Sequence, residues 1–185
     1  MKIDRMTPLY AQCIPYNENI KGRIGGNPPI NIETEIPEGY AFYATLVHPE
    51  DENKMLSICI AKDFKMLLEN NRFPNIAIKV IEHTFSPMGN NIEKSLEDFE
   101  GVKASISDYG NNEFDFEFIK VKGTPIFIQN NAWFWENIDE SYSFFLSINE
   151  EGYIDGLVDI LCFGAIYLYQ HKETKEIVAG FWQCS

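Results

Sequence analysis

The chain reads as an α+β protein, β-dominated, with mostly antiparallel sheets from two similar halves and two short helices. Three observations predict this. Several runs place apolar residues at every second position, the period of a pleated strand with one dry face. Two shorter stretches carry apolar residues at helical spacing, one at i, i+3 and i+4 and the other at i, i+4 and i+7. A Gly-x-Pro turn followed by a Tyr-x-Phe strand occurs twice, in the same order. At 185 residues, 45% apolar and 23% charged, one domain over 1–185 with a well-buried core is expected.

In chain order, "GRIGGNPP" groups Gly22, Gly25 and Gly26 with Lys21 and Arg23, superficially a phosphate cradle. It lacks G-K-[ST] and runs into Pro28-Pro29, which cannot open an ordinary helix with free N–H groups, so a tight turn is expected. "YAFYATL" and "MLSICI" follow as apolar strands. "AKDFKMLLENN" spaces Phe64, Leu67 and Leu68 on one helical face, with Asp63 as N-cap and Asn70-Asn71 as a stop, predicting a helix over roughly 62–71. "NNIEKSLEDFEG" spaces Ile92, Leu96 and Phe99 helically and sets Gly101 at the C-terminal position, predicting a second short helix.

"EFDFEFIKV" alternates Phe114, Phe116 and Phe118 with Glu113, Asp115 and Glu117, a half-buried antiparallel strand. In "YSFFLSIN", strict alternation puts Tyr142, Phe144, Leu146 and Ile148 on one face, opposite Ser143, Phe145 and Ser147. "ILCFGAIYLYQH" and "IVAGFWQC" are apolar strands whose Gly164 and Gly180 indicate close backbone approach or a bulge. The short polar "HKETKE" between them predicts a hairpin.

The halves, about 20–88 and 113–185, share an order. Gly26-Asn27-Pro28 precedes Tyr40 and "YAFYATL"; Gly123-Thr124-Pro125 precedes Tyr142 and "YSFFLSI". Each strand leads to two more apolar runs.

These turns carry a resemblance to the YwqG-like bacterial proteins of unknown function. Gly25-Gly26-Asn27-Pro28 looks like that family's first turn, and Lys122-Gly123-Thr124-Pro125 with Ile128-Gln129 like its second. "FFLSINEEGY" and "FGAIYLY" resemble its later strands. Ser147-Ile148-Asn149 and Ala44-Thr45-Leu46 depart from the Gln-Ile-Asp expected at the strand end. The resemblance implies two related β-rich halves. Since some members lie among polymorphic-toxin genes, it also implies an immunity role.

Chemistry is sparse. Three histidines, His48, His83 and His171, come with no Gly-x-Ser-x-Gly elbow and no recognisable cysteine motif. A hydrolase would need them to converge in space with a cysteine or acids. No H-x-x-x-H, H-E-x-x-H or cysteine pair points to a metal, and the acids of "NEEGYIDGLVD" do not fit a calcium loop, so no cofactor is expected. Cys13, Cys59, Cys162 and Cys184 read as structural thiols, with Cys59 and Cys162 inside apolar runs.

The net charge of −13, from 28 acidic and 15 basic residues, disfavours nucleic acid and anionic membranes and favours a basic partner. With no run of about 20 apolar residues and no secretory h-region, cytoplasmic residence is expected. The remaining signal is aromatic. Trp133, Phe134 and Trp135 cannot all share one side of an extended strand, so at least one must point away from the sheet's core or sit in a loop. Together with Gln129, Asn130, Asn131 and Trp182 they form the expected binding surface. The reading is a non-enzymatic binding protein, an immunity protein occluding a basic toxin. The alternative is a small-molecule sensor or carrier with a pocket between the halves, contacted by Gln129, Asn130 and Asn131.

Overall fold

The computed structural model describes residues 7–63, 71–113 and 117–185. Eleven strands are present among them: β1 (Leu9–Ala11), β2 (Cys13–Pro15), β3 (Arg23–Gly25), β4 (Tyr40–His48), β5 (Asp51–Ala61), β6 (Ile78–Thr84), β7 (Lys103–Ile106), β8 (Ile119–Val121), β9 (Tyr142–Asn149), β10 (Ala165–His171) and β11 (Ile177–Gln183). They form two antiparallel sheets. The first has the order β2-β7-β3-β4-β5-β6 and the second β1-β8-β9-β10-β11. One apolar core contains Tyr43, Leu46, Leu56 and Ile58 of the first sheet and Phe145, Leu146, Ile166 and Trp182 of the second, so the sheets face each other across it.

Each sheet contains a four-strand meander, β3-β4-β5-β6 or β8-β9-β10-β11, in chain order. The two correspond residue by residue at the turn. Gly25 and Gly26 have φ of 75° each, and Lys122 and Gly123 have 58° and 71°, with Pro28 or Pro125 two residues on. A Cβ on Gly25 would stand 2.3 Å from the Val102 carbonyl oxygen, which leaves only glycine room there. Arg23, itself buried, donates to the Gly25 carbonyl at 2.5 Å and to the Asn27 carbonyl, so the "GRIGGNPP" glycines are held as a turn.

The register also corresponds. Phe42 pairs with Cys59 and Ala44 with Ile58, leaving Tyr43 as a bulge; Phe144 pairs with Tyr169 and Leu146 with Leu168, leaving Phe145 as a bulge. The bulge explains a departure from strict alternation. Phe144 packs outside its sheet, whereas Phe145, Leu146 and Ile148 all pack inside, because the extra residue inverts the phase.

Each outer face carries a smaller cluster beneath the connection that follows the turn. In the first half Ile32, on the 3-10 turn Ile30–Ile32, joins Ile36, Phe42 and Cys59. In the second half Phe134, on the 3-10 turn Ala132–Phe134, joins Tyr167, Tyr169 and Phe181. The aromatic segment thus has a shorter structural counterpart in "NIETEIP".

Among the described residues, helical structure is confined to five three-residue 3-10 turns. The expected helix over 62–71 falls largely outside them. The expected helix after Asn91 is two 3-10 turns, Ile92–Lys94 and Glu97–Phe99, separated by an extended Ser95. Ser95 is pinned there because its hydroxyl donates to Asn27 Oδ1 at 2.7 Å and its backbone bridges to Phe42. Only Leu96 and Phe99 then reach the core, while Ile92 is 76% exposed. The expected alternating strand at 113–118 lies partly outside the described residues; Phe118 and Ile119 are both buried where β8 begins. The hairpin across "HKETKE" joins β10 and β11.

Candidate functional site

The segment from Pro125 to Ile138 crosses the outer face of the second sheet. Tyr167 anchors it, its hydroxyl donating to the Ile126 carbonyl at 2.9 Å and accepting from the Ile128 N–H at 3.2 Å. Phe127 stacks on Trp135 with ring centroids 4.5 Å apart, and both lie against Phe181. This small aromatic core fixes the path of the chain above it.

The expected binding residues separate into distinct roles. Gln129 is used on the C-terminal strand: its N–H donates to Gln183 Oε1 at 3.1 Å and its Nε2 to the Cys184 carbonyl at 2.8 Å, while Gln183 Nε2 donates back to the Gln129 carbonyl at 2.8 Å. Asn131 caps the 3-10 turn, accepting from the Trp133 N–H at 3.1 Å. Trp135 is half-buried, and Asn130 is exposed. Trp182 does not belong to this surface: at 1% exposure it lies in the core between the sheets, because the bulge at Gly180 shifts the phase of β11 so that Phe181 points outward and Trp182 inward.

Trp133 is the residue that leaves the core, 41% exposed and packed edge-on against Phe134 at 5.2 Å. The Arg72 guanidinium lies 4.0 Å from its ring centroid, donates to the Trp133 carbonyl at 2.7 Å and pairs with Glu136. A cation held over an indole by two further bonds fixes both side chains before any partner arrives. Sequence reading missed Arg72. Its signal is slight, a single arginine in "NRFPN", and it reaches Trp133 only because Asn71–Phe73 runs along β11, with Phe73 N–H donating to Gly180 at 2.6 Å.

A second feature is an open cleft of about 1080 Å³ where residues of both halves meet. Lys122 Nζ lies 2.5 Å from Glu50 Oε1, and Gln170 Nε2 donates to Glu50 Oε2 at 3.0 Å, joining the β4–β5 hairpin to the second sheet. Partial burial pushes the Glu50 carboxyl up, but Lys122 and Gln170 outweigh it and hold the pKa below the usual range. Lys120, Lys175, Ser143 and Thr124 complete a polar wall.

The histidine nitrogens have structural partners. His48 Nδ1 accepts from the Glu50 N–H at 3.1 Å, His83 Nε2 lies 2.7 Å from Ser57 Oγ, and His171 Nδ1 accepts from the Glu173 and Thr174 N–H groups of its hairpin. Burial pushes the Cys13 and Cys59 thiols up, Cys59 to about 12, so neither supplies a thiolate at neutral pH. Cys162 is exposed rather than buried, since its apolar run becomes a strand only at Ala165. Among the described residues no group of three or more His, Cys, Asp or Glu could hold a metal ion, and no helix is long and apolar enough to cross a membrane.

The fold and these surfaces define a two-sheet antiparallel β protein with a braced, exposed tryptophan and an inter-sheet cleft. No protein-family model matches the chain, and no curated protein matches it.

Proposed function

We propose that the chain is a non-enzymatic binding protein of YwqG-like type, acting as an immunity protein that occludes a basic bacterial toxin in the cytoplasm. The observation that carries this reading is Trp133, 41% exposed yet clamped under Arg72 on a dedicated aromatic core. Tryptophan and arginine dominate the centres of protein interfaces, and a pre-fixed pair loses little freedom on binding. The −13 net charge supplies the attraction for a basic partner during encounter. The matching order and register of the two meanders support descent from one repeated unit. Co-expression with any toxin gene found beside its own gene tests the function. Rescue of growth supports it; uninhibited killing by every such toxin contradicts it.

A second reading, a small-molecule sensor or carrier, is favoured by the cleft around Lys122, Glu50 and Gln170. Gln129, Asn130 and Asn131 do not line it; the polar contacts there come instead from Lys120, Lys122, Lys175, Ser143, Thr124 and Gln170.

A further inference from the structure

A row of polar side chains crosses the outer face of the first sheet. Ser105, Arg23, Thr45 and Ser57 are consecutive cross-strand neighbours on β7, β3, β4 and β5, and each is at most 6% exposed. Polar groups this dry are ordinarily partnered. Ser105 Oγ accepts from the Asn17 N–H at 2.9 Å, and Ser57 Oγ meets His83. Thr45 Oγ1 has no hydrogen-bond partner among the described residues. Arg23 uses two of its five N–H groups on the Gly25 and Asn27 carbonyls and faces the Phe42 ring at 4.7 Å, with no carboxylate paired to it among the described residues. Burial pulls this guanidinium down to about 10, so it remains charged at neutral pH.

Arg23 and Thr45 line one cleft of about 290 Å³. Its walls include Tyr16, Phe85 and Met88, which are 40%, 51% and 37% exposed, with Lys21 Nζ 5.7 Å from the Phe85 ring centroid. The site thus joins a buried cation and an unpartnered hydroxyl to an apolar rim.

The second half provides an internal comparison. Lys120 and Ser147 are the cross-strand pair at the equivalent position, and they also line a cleft. There the chain's own acids share the lining with the cation: Glu113, Glu117 and Glu151 stand beside Lys120, and burial raises the Glu117 carboxyl while Lys120 offsets part of that rise. In the first half, Glu18 is the only acid on the lining among the described residues, and no ion pair joins it to Arg23 among them.

We propose that the Arg23–Thr45 cleft binds the carboxylate of a small apolar organic acid, on the face opposite Trp133. One guanidinium fork and one hydroxyl match a planar monoanion, whereas a phosphate dianion would bring a second charge with no second buried cation. Tyr16, Phe85 and Met88 take the apolar body. The volume is at the small end for ligand pockets, which sets the size of the acid. This site is separate from the partner surface, so either can fail without the other.

The test is a titration of the full chain, followed by backbone amide resonances, with a panel of monocarboxylates from acetate to phenylacetate and with phenylacetamide as the neutral match. The expected result is saturable shifts confined to residues 16–24, Thr45 and 85–88. Affinity should rise with apolar size, and phenylacetamide should bind at least about tenfold more weakly, the cost of leaving a charged donor unpaired. Thr45→Val preserves shape, so it should keep the fold and raise the melting temperature of the free protein, yet weaken phenylacetate several-fold. Lys120→Ala should leave phenylacetate binding unchanged. Absence of saturable shifts with the whole panel overturns the proposal. So does equal binding of phenylacetamide, or a response centred on Lys120 and Ser147.

Discussion

Tyr43 and Phe145 occupy the same place in the two sheets, each the bulged residue three positions after the tyrosine that opens its strand. They differ by one hydroxyl, and that hydroxyl lies 2.6 Å from the hydroxyl of Tyr153 inside the core. Burial raises both phenols well above their ordinary pKa, so they stay neutral and share a hydrogen bond. Tyr43→Phe keeps the ring and the bulge but removes the partner of Tyr153. The expected loss is about 1 kcal/mol, read as a lower denaturant midpoint with unchanged slope.

Glu150 is 3% exposed, and its carboxylate accepts from three backbone N–H groups: Ile160 at 2.5 Å, Leu161 at 2.6 Å and Gly164 at 3.1 Å. It closes the loop before β10, where Cys162 and Phe163 hold φ of 57° and 55°. Glu150→Ala would leave these buried donors without acceptors, with an expected cost of about 3 kcal/mol. Hydrogen exchange should then accelerate at Ile160, Leu161 and Gly164 ahead of the β10 amides.

Lys122 takes a left-handed backbone at the position where the first half has Gly25, and it ion-pairs with Glu50 across the sheets. Lys122→Ala loses the pair and keeps the strain; Lys122→Gly loses the pair and relieves it. The glycine variant should therefore be the more stable of the two by about 1 kcal/mol, measured by chemical denaturation. Equal stability would contradict the strain argument.

His48 and His83 have pKa values below the ordinary value, mainly through burial, which disfavours the imidazolium. The unfolded chain then binds protons first as the pH falls. Their contribution is complete above the unfolded value near 6.5 and is lost as the pH drops through the depressed folded values. His83→Gln, which keeps an amide within reach of Ser57, should flatten that part of the stability profile between about pH 7 and 5.

Much of this architecture was legible in the sequence because it follows from period and punctuation. The Gly-x-Pro turns, the Tyr-x-Phe strands and the final hairpin lie where local patterns place them. The phase within β9 was not legible, since a bulge at Phe145 has no sequence mark and inverts every later residue. The stretch after Asn91 has helical spacing, yet a bridge to Phe42, remote in sequence, holds Ser95 extended. At the candidate surface, the crowding of Trp133, Phe134 and Trp135 required at least one ring off the sheet's core or in a loop, and the segment is a 3-10 turn rather than a strand. Their sorting depended on Arg72, Tyr167 and Phe181, which arrive from other strands. Trp182 illustrates the same limit: Gly180 marks a bulge within "IVAGFWQC", but not which of Phe181 and Trp182 it turns into the core.

The exposed, clamped tryptophan is the centre of the functional account, and growth rescue by a Trp133→Ala variant measures it most directly. At equal cellular abundance, the unaltered chain should protect cells from a toxin encoded beside it and the variant should not, while both stay folded at the growth temperature. Rescue by Trp133→Ala as complete as that of the unaltered chain would contradict the account.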